Sequence, residues 1–229
     1  AFEAAINRVQ FAQIGCAKGT TCKPADTGLI AAGLYGNLAP QKDPMAVYDP
    51  SKAKAEYQKW DPTGQKAASL KLEYESTPTL DTQFQNVQAQ LQSTLGVKMQ
   101  LSPSDFKTII SDREAHRPYL FEDSWGADYN HPQDWYDNLW SCTNARDGGG
   151  NGSAYCDPQM DSLVQSADQK PLAQGLSQYN QAYQMMEKND YGAPLDYSTI
   201  PFFVQKWVSG ESNNGLNDAS WTNIKILQH

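Results

Sequence analysis

Alternating and periodic apolar residues divide the first half of the chain into strands and helices. SLKLEYEST (69–77) alternates apolar and polar residues, which is the pattern of a half-buried strand. Between Leu80 and Leu95 the apolar residues recur every three or four positions, and Gly96 follows them. This spacing predicts an amphipathic helix that ends at the glycine.

Two further strands are predicted on the carboxyl side of this helix. They are VKMQL (97–101) and PYLFEDSW (118–125), and the intervening DFKTIISDREA is predicted to be a helix capped by Ser102 or Ser104. The resulting β-α-β-α-β order implies largely parallel pairing with right-handed crossovers. We therefore predict an α/β fold with a mixed, mostly parallel sheet flanked by helices.

Caps and periodicity place the remaining elements. An amphipathic helix is predicted at residues 1–15, with Phe2, Ile6 and Val9 on its buried face. The other predicted elements are a helix started by Asp49-Pro50, helices at 158–168 and 172–188, and late strands at 200–208 and 222–227 that close the sheet. The whole chain, residues 1–229, is predicted to be a single α/β domain.

The charge of the chain excludes some classes of partner. Its 229 residues carry a formal net charge of −8, which disfavours binding to nucleic acid and to anionic membrane surfaces. No run of apolar residues reaches the length of a membrane span.

The start lacks the pattern of a signal peptide, and a helix that begins at residue 1 without a cap indicates a piece of a longer chain. No cofactor is predicted, because no dinucleotide-binding, Walker or GxSxG motif occurs.

The cysteines indicate an oxidising compartment. Cys16 and Cys22 bracket AKGTT, and Cys142 and Cys156 bracket a loop rich in Gly, Asn and Ser. Cysteines that bracket flexible loops suit disulfides, because a disulfide restricts the unfolded chain. The sequence does not choose among the three pairings that four cysteines allow, and four reduced thiols are the alternative. A zinc site is disfavoured, since no CxxC occurs and the chain has 3 histidines.

The segment SWGADYNHPQDWYDNLW (124–140) contains the candidate functional residues. It is dense in aromatic and acidic side chains, and an unpaired aspartate is rarely buried in a core. In open α/β sheets, ligands bind beyond the carboxyl ends of the strands, and Asp128 follows the predicted strand 118–125. The alternative is that this aspartate caps the next turn or pairs with a structural arginine.

Five consecutive residues form the predicted ligand site. Gly126 lets the backbone turn closely, and Ala127 follows it without bulk. Asp128 supplies an anionic acceptor, while Trp125 and Tyr129 supply apolar walls. An ammonium group is the natural partner of such a carboxylate.

The sequence gives weaker support for other kinds of site. Asp128, Asp134 and Asp137 could supply the carboxylate pair of a glycosidase, but carboxylates three residues apart on a helix are usually solvated. DGGGNGSAYCD (147–157) lacks the spacing of an EF-hand and is predicted to be a mobile loop held by cysteines. Asn151 begins an Asn-Gly-Ser sequence that fits a glycosylation acceptor, which has meaning only if the source glycosylates such sites. The sequence therefore predicts that the chain is not an enzyme.

Several segments, taken in order, resemble the family 5 solute-binding proteins. WGADY (125–129) resembles that family's W-x-A-D-Y segment, and AAINR (4–8) resembles its A-I-x-R. Further segments that resemble the family pattern are PADTGLI through LYG (24–36), YDPSKAKAEYQKW (48–60), LGVKMQL (95–101) and AYCDPQMDSLVQSA (154–167). The resemblance extends over nearly the whole chain. These proteins are the oligopeptide- and dipeptide-binding subunits of bacterial ABC importers.

The resemblance implies one lobe of a two-lobed, type II periplasmic-binding-protein fold. This chain would be the second lobe, with residues 200–229 running toward the hinge or the absent first lobe. Solute capture for an ABC importer is implied, with peptide as the preferred ligand, Trp125 lining the cleft and Asp128 pairing with the ligand's α-ammonium. The implied partners are the ligand, the missing lobe and the permease subunits. The protein would be monomeric and extracytoplasmic, with or without a lipid anchor.

Departures from the family pattern leave the ligand open. NHP (130–132) follows Tyr129 in place of the usual Pro-Asp-Pro, and IAA (30–32) replaces the tripeptide IPP. Glu122 precedes the tryptophan at a position where a basic side chain could hold a peptide carboxylate. Because relatives that carry oligosaccharides or metal chelates share much of W-x-A-D-Y, these solutes are alternatives. A stand-alone extracytoplasmic interaction domain is another.

Overall fold

Most of the regular secondary structure is helical. The structure is a computed structural model that describes residues 1–37, 43–117, 120–199, 203–211 and 221–228. Its α-helices are, in chain order, α1 (Phe2–Ala5), α2 (Arg8–Gly15), α3 (Pro50–Trp60), α4 (Gln65–Ala68), α5 (Pro78–Leu95), α6 (Phe106–Glu114), α7 (Gln133–Trp135), α8 (Pro158–Asp168) and α9 (Leu172–Lys188). A π-helix, Tyr136–Trp140, continues α7.

A three-stranded parallel sheet lies among these helices. The strands are β1 (Cys22–Pro24), β2 (Lys71–Glu75), β3 (Gln100–Ser104), β4 (Leu120–Phe121), β5 (Asp196–Ser198), β6 (Val208–Ser209) and β7 (Lys225–Ile226). The parallel sheet has the order β3-β2-β4. Helix α5 connects β2 to β3 and α6 connects β3 to β4, which confirms the predicted β-α-β-α-β unit. Two antiparallel pairs, β1 with β5 and β6 with β7, form separate sheets.

Side-chain caps fix the helix ends that the sequence predicts. Asp49 accepts hydrogen bonds from Ser51 N–H (3.0 Å) and Lys52 N–H (2.9 Å) at the start of α3. Asp157 caps α8 in the same way, and a proline follows each of these two caps. Gly96 ends α5 in the left-handed conformation, with φ of 77°. Helix α8 therefore has the predicted bounds, and α9 also has them although no side chain caps its start.

The prediction of a single helix at residues 1–15 is wrong. Asn7 divides it, because its side chain accepts a hydrogen bond from Gln10 N–H (3.2 Å) and caps a second helix. In that second helix Val9 is 54% exposed, whereas Arg8 is 4% exposed. The buried face thus includes the arginine and not the valine.

The predicted strands differ from the observed ones at their ends. β3 starts at Gln100, later than predicted, and Asp105 rather than a serine caps the next helix. β4 keeps residues 120–121 of its predicted strand, and residues 122–125 have no regular structure. Residues 118–119 lie outside the described residues. Since strands this short carry little alternation, their bounds are set by pairing with β2.

The late strands do not close the parallel sheet, which corrects the prediction. Val208 pairs with Ile226 and Ser209 with Lys225, so β6 and β7 form a ladder with each other. Residues 200–202, where the first late strand was predicted to begin, lie outside the described residues.

The buried apolar residues form two main clusters. One cluster packs the parallel sheet against α1, α2, α3 and α5, and in it the ring centroids of Tyr74 and Phe84 lie 4.7 Å apart. The other packs the π-helix against α8 and α9 and includes Trp140, Met160 and Met186. The chain between β4 and α7 therefore runs from the first cluster to the second.

Both disulfides are local. Cys16 is joined to Cys22, and Cys142 to Cys156. The structure thereby selects one of the three pairings that the sequence left open, and the alternative of reduced thiols is wrong. Cys16–Cys22 ties the end of α2 to β1, and Cys142–Cys156 closes the loop between the π-helix and α8.

A buried arginine connects the amino-terminal helices to distant parts of the chain. The Arg8 guanidinium donates to Pro194 O and Met45 O, both at 2.5 Å. It also donates to Glu3 O and Ile6 O, both at 3.1 Å. These carbonyl groups belong to α1, to the chain before α3 and to the chain before β5, so one side chain fixes three segments.

A buried aspartate continues this network to α9. Asp43 is 1% exposed and accepts a hydrogen bond from Tyr183 Oη at 2.5 Å. The same tyrosine oxygen accepts from Leu29 N–H at 2.7 Å. Burial lowers the pKa of Arg8 to about 10, against the opposing charges of Glu3 and Asp43. The network therefore links both hydrophobic clusters.

We expect Arg8→Lys to lower the free energy of unfolding by about 3 kcal/mol. A lysine ammonium presents its donors from one atom and cannot reach all the carbonyl groups that the planar guanidinium reaches. Urea denaturation followed by tryptophan fluorescence measures the change. The matched control, Arg146→Lys on an exposed side chain, should change stability by less than about 0.5 kcal/mol. Equal stability of both variants would contradict the role of Arg8.

Candidate functional site

The predicted site lies on irregular backbone that follows β4. Residues 122–128 have no regular structure except a bend at the last of them, and the first N–H of this segment still donates to Glu73 O at 2.8 Å. The segment thus leaves the sheet at the carboxyl ends of the parallel strands, where ligands bind open α/β sheets. Trp125 is 39% exposed, Tyr129 is 43% exposed, and Asp128 is also exposed.

The two small residues of the site have different surroundings. Ala127 is partly buried and packs against the second hydrophobic cluster. A Cβ at Gly126 would meet no atom within 4 Å, so the structure shows no steric reason for glycine there. The open space leaves the main chain of Gly126 accessible.

A buried carboxylate holds the main chain of the exposed aspartate. Asp134 Oδ2 accepts a hydrogen bond from Asp128 N–H at 2.9 Å. Asn138 Nδ2 donates to Asp134 Oδ1 at 3.3 Å. Asp134 is 0% exposed, which corrects the expectation that the carboxylates of this helix are solvated. No feature of the sequence distinguishes this buried carboxylate from a solvated one.

The aromatic residues after Asp134 belong to the core. Trp135, Tyr136 and Trp140 are each less than 5% exposed. Tyr136 Oη donates to Tyr179 O at 3.0 Å, which satisfies the polar edge of the ring. The dense segment 124–140 thus combines an exposed first part with a buried second part that anchors it.

The loop closed by Cys142 and Cys156 is held by more than its disulfide. Asn151 is 0% exposed, and its Nδ2 donates to Ser141 O (3.1 Å) and to Tyr155 O (2.8 Å). A buried amide that bonds to the main chain does not accept a glycan in the folded chain. The interpretation of this asparagine as a glycosylation acceptor is therefore wrong.

A basic side chain at the start of the segment 122–128 is held in an ion pair. Arg113 pairs with Asp123, and its guanidinium lies 5.9 Å from the centroid of the Phe121 ring. Burial raises the pKa of the Glu122 carboxyl, and the adjacent Asp123 charge adds to the effect. This edge of the site is therefore acidic, and its arginine is already paired.

Carboxylates also surround the exposed tyrosine. The pKa of Tyr129 is raised, first by its partial burial and then by the charges of Asp134, Asp137 and Asp168, with a smaller effect of Asp128. A phenol that titrates above its usual range stays neutral near pH 7. The electrostatic field at the site is thus negative and favours cationic groups.

A second loop reaches the same site, and the sequence did not predict it. Tyr35 N–H donates to Asn130 Oδ1 at 2.8 Å, and the Tyr35 side chain is 51% exposed. Gly36 has φ of 89°, and a Cβ there would lie 2.8 Å from Pro132 Cγ. This close approach requires glycine, and it fixes loop 28–37 beside the predicted site.

The cleft beside the π-helix and α8 is a different feature from the predicted site. It has a volume of about 330 Å³ and is lined by Tyr136, Asp137, Ser141, Thr143, Asn144, Met160, Asp161, Val164, Gln165 and Asp168. Residues 125–129 are not among these lining residues. The predicted site is instead an open surface of this chain.

The ligand atoms of Cys16, Cys22 and Asp196 lie within 4.8 Å of one another, but the two sulfur atoms are joined in a disulfide and are not thiolate ligands. Across the described ranges, no helix has the length and apolar character needed to cross a bilayer.

The family model for bacterial extracellular solute-binding proteins, family 5 middle, matches residues 1–147. The chain belongs to this family. The matched range includes the parallel sheet and the segment with Trp125 and Asp128. The family resemblance inferred from the sequence motifs is thereby confirmed, and the members of this family are solute-binding proteins.

Curated relatives match over a limited part of their length. The periplasmic oligopeptide-binding protein OppA of Escherichia coli strain K12 is 26% identical over 137 residues, which are 59% of this chain and 24% of OppA. The periplasmic murein peptide-binding protein MppA of the same strain is 25% identical over 167 residues, 72% of this chain and 30% of MppA. The chain therefore spans only about a quarter to a third of these relatives.

Solved structures share the fold over the whole chain. The Helicobacter pylori periplasmic binding protein DppA, in complex with peptide STSA, has a TM-score of 0.80 and 17% identity, covering 99% of this chain and 43% of DppA. Escherichia coli MppA has a TM-score of 0.75 and 21% identity, covering 100% of this chain and 44% of MppA. The predicted type II periplasmic-binding-protein fold is confirmed.

We expect Glu122→Gln to stabilise the chain at neutral pH. The raised pKa of Glu122 means that its ionised form is disfavoured in the folded chain. The protonated Glu122 side chain contributes favourably to the stability of the folded chain. This contribution is fully present below the ordinary pKa of 4.5 and is lost as the pH rises through the higher pKa of the folded chain. The variant should therefore gain stability at pH 7 and lose this advantage near pH 4, as measured by thermal unfolding.

Glu114→Gln, the same change on an exposed side chain, is the control and should shift the melting temperature much less. If the Glu122→Gln chain is no more stable than the unchanged chain at pH 7, ionisation of Glu122 does not destabilise the folded chain, and the prediction is wrong.

Proposed function

We propose that this chain supplies one half of the binding cleft of an extracytoplasmic peptide-binding protein that serves an ABC importer. One observation carries the proposal: Asp128 is exposed, and its main chain is fixed by Asp134 beyond the carboxyl ends of the parallel strands. Membership of an extracellular solute-binding family supports it. The names of the curated relatives, which refer to oligopeptide and murein peptide binding, support peptide as the ligand.

The proposed roles follow from the chemistry of each residue. The Asp128 carboxylate accepts hydrogen bonds from the α-ammonium of the peptide, at a gain of about 1.5–3 kcal/mol for a charge-assisted bond. Trp125 and Tyr129 pack against apolar parts of the ligand. The main chain at Gly126 and Ala127 contacts the extended peptide backbone, as the open space beside Gly126 permits.

Ligand capture in this proposal requires a second lobe. In this proposal the chain supplies one α/β lobe, its last segment, of which the structure describes 203–211 and 221–228, leads toward the other, and closure of the two lobes encloses the peptide. The closed, monomeric protein is recognised by the permease subunits, and no chemical step occurs. Binding energy stabilises the closed state in preference to the open one.

We expect Asp128→Asn in the full-length gene product to weaken binding of tri-alanine by roughly 10- to 100-fold, since the charge of the acceptor is lost. The same substitution should change the affinity for N-acetyl-tri-alanine little, because this peptide has no ammonium group. Isothermal titration calorimetry measures both dissociation constants.

Asp147→Asn, the same change on an exposed loop side chain, should leave both constants unaltered. If Asp128→Asn binds tri-alanine as tightly as the unchanged protein, the ammonium-pairing role is wrong.

We expect the 229-residue chain alone to bind tri-alanine with a dissociation constant above about 1 mM, because half of the cleft contacts are absent. Calorimetry on the isolated chain, shown to be folded by its circular dichroism, tests this. A micromolar dissociation constant would contradict the two-lobe arrangement while leaving the peptide ligand in place.

A further inference from the structure

Asp134 is a buried carboxylate without a basic partner in the part of the chain that the structure describes. Its exposure is 0%, and no ion pair of the described ranges includes it. Both of its oxygens accept hydrogen bonds from N–H donors: Oδ2 from Asp128 N–H and Oδ1 from Asn138 Nδ2. Two accepting oxygens fit the ionised form of the group. A buried charge of this kind needs compensation.

The buried carboxylate of Asp134 holds the main chain of Asp128. The bond joins residues six positions apart at 2.9 Å, so it fixes the main chain of Asp128 against the start of α7. Ala127, the residue before, packs on the second hydrophobic cluster. The exposed Asp128 side chain is therefore mounted on a main chain that is held at two consecutive residues.

The second carboxylate also strengthens the local field. A negative charge buried behind an exposed aspartate acts through protein rather than water, where charges interact more strongly. The pKa of the neighbouring Tyr129 is raised in part by Asp134, so this charge is felt at the surface of the site. Arg113 is paired with Asp123, and no ion pair of the described residues joins it to Asp134.

We propose that Asp134 is the positioning residue of the ammonium site, holding the Asp128 main chain and placing a second negative charge behind it. Together the two carboxylates make the site selective for ligands with a protonated amine. This inference rests on the proposed function, in which Asp128 contacts the ammonium. Asp134 does not itself touch the ligand.

The test compares two peptides on the full-length gene product. Tri-alanine and N-acetyl-tri-alanine are titrated into the unchanged protein, Asp134→Asn and Asp128→Asn, with Asp147→Asn as control. Asp134→Asn keeps an oxygen for the Asp128 N–H but removes the charge. We expect its affinity for tri-alanine to fall roughly tenfold, with little change for the acetylated peptide.

The affinity for tri-alanine divided by the affinity for N-acetyl-tri-alanine separates a charge effect from a purely structural one. A structural defect would weaken both peptides equally and leave the ratio unchanged, which would overturn the inference. If Asp128→Asn lowers the ratio and Asp134→Asn does not, only the role of Asp134 is rejected. If neither variant lowers it, the proposed ammonium site itself is rejected.

A second substitution covers the case in which Asp134→Asn does not fold. Asp134→Ser is smaller, retains an acceptor oxygen and removes the charge, so it should lower the same ratio by a similar factor. A folded Asp134→Ser protein with the ratio of the unchanged protein would overturn the inference.

Discussion

The buried guanidinium of Arg8 is the constraint on which the arrangement of the chain depends. It donates to carbonyl groups of α1, of the segment before α3 and of the segment before β5, which are far apart in sequence. A charged group removed from water must be satisfied by such bonds, and a different arrangement of the three segments would leave it unsatisfied. The nearby Asp43 extends the network through Tyr183 to α9. The amino-terminal helices and α9 are therefore held in one arrangement by polar contacts as well as by packing.

The acidic segment after β4 lacks regular structure but is anchored at both ends. It begins at the sheet, where its first N–H bonds to Glu73 O, and it ends on the second cluster, where Trp135 and Tyr136 are buried. Between these anchors, the hydrogen bond from Asp128 to Asp134 fixes the exposed residues. A segment anchored at both ends can present polar side chains at low conformational cost on binding.

The sequence predicts best those elements whose determinants are local. The bounds of α8 and α9 follow from an Asp-Pro cap and from apolar spacing, and Gly96 ends α5 as its left-handed conformation requires. Elements that depend on distant partners are missed. The pairing of β1 with β5 joins residues more than 170 positions apart, and neither three-residue strand has a visible period.

The same distinction applies to the site. Trp125, Asp128 and Tyr129 are predicted as site residues because an acidic and aromatic segment follows a strand and because its motif resembles a known family. Tyr35 and Asp134 were missed as site residues, since Tyr35 reaches the site only through a contact with Asn130. A buried aspartate and a solvated one look alike in a sequence. Only the fold separates them.

The charge distribution restricts which ligand groups the segment after β4 can bind. Glu122, Asp123 and Asp128 all lie on the segment after β4, and Arg113 is already paired with one of them. A ligand carboxylate placed here would meet like charges, which costs binding energy, whereas an ammonium would meet opposite ones. Under the proposed function, the carboxyl end of a peptide is therefore held by a surface other than the segment after β4, and this segment complements the amino end.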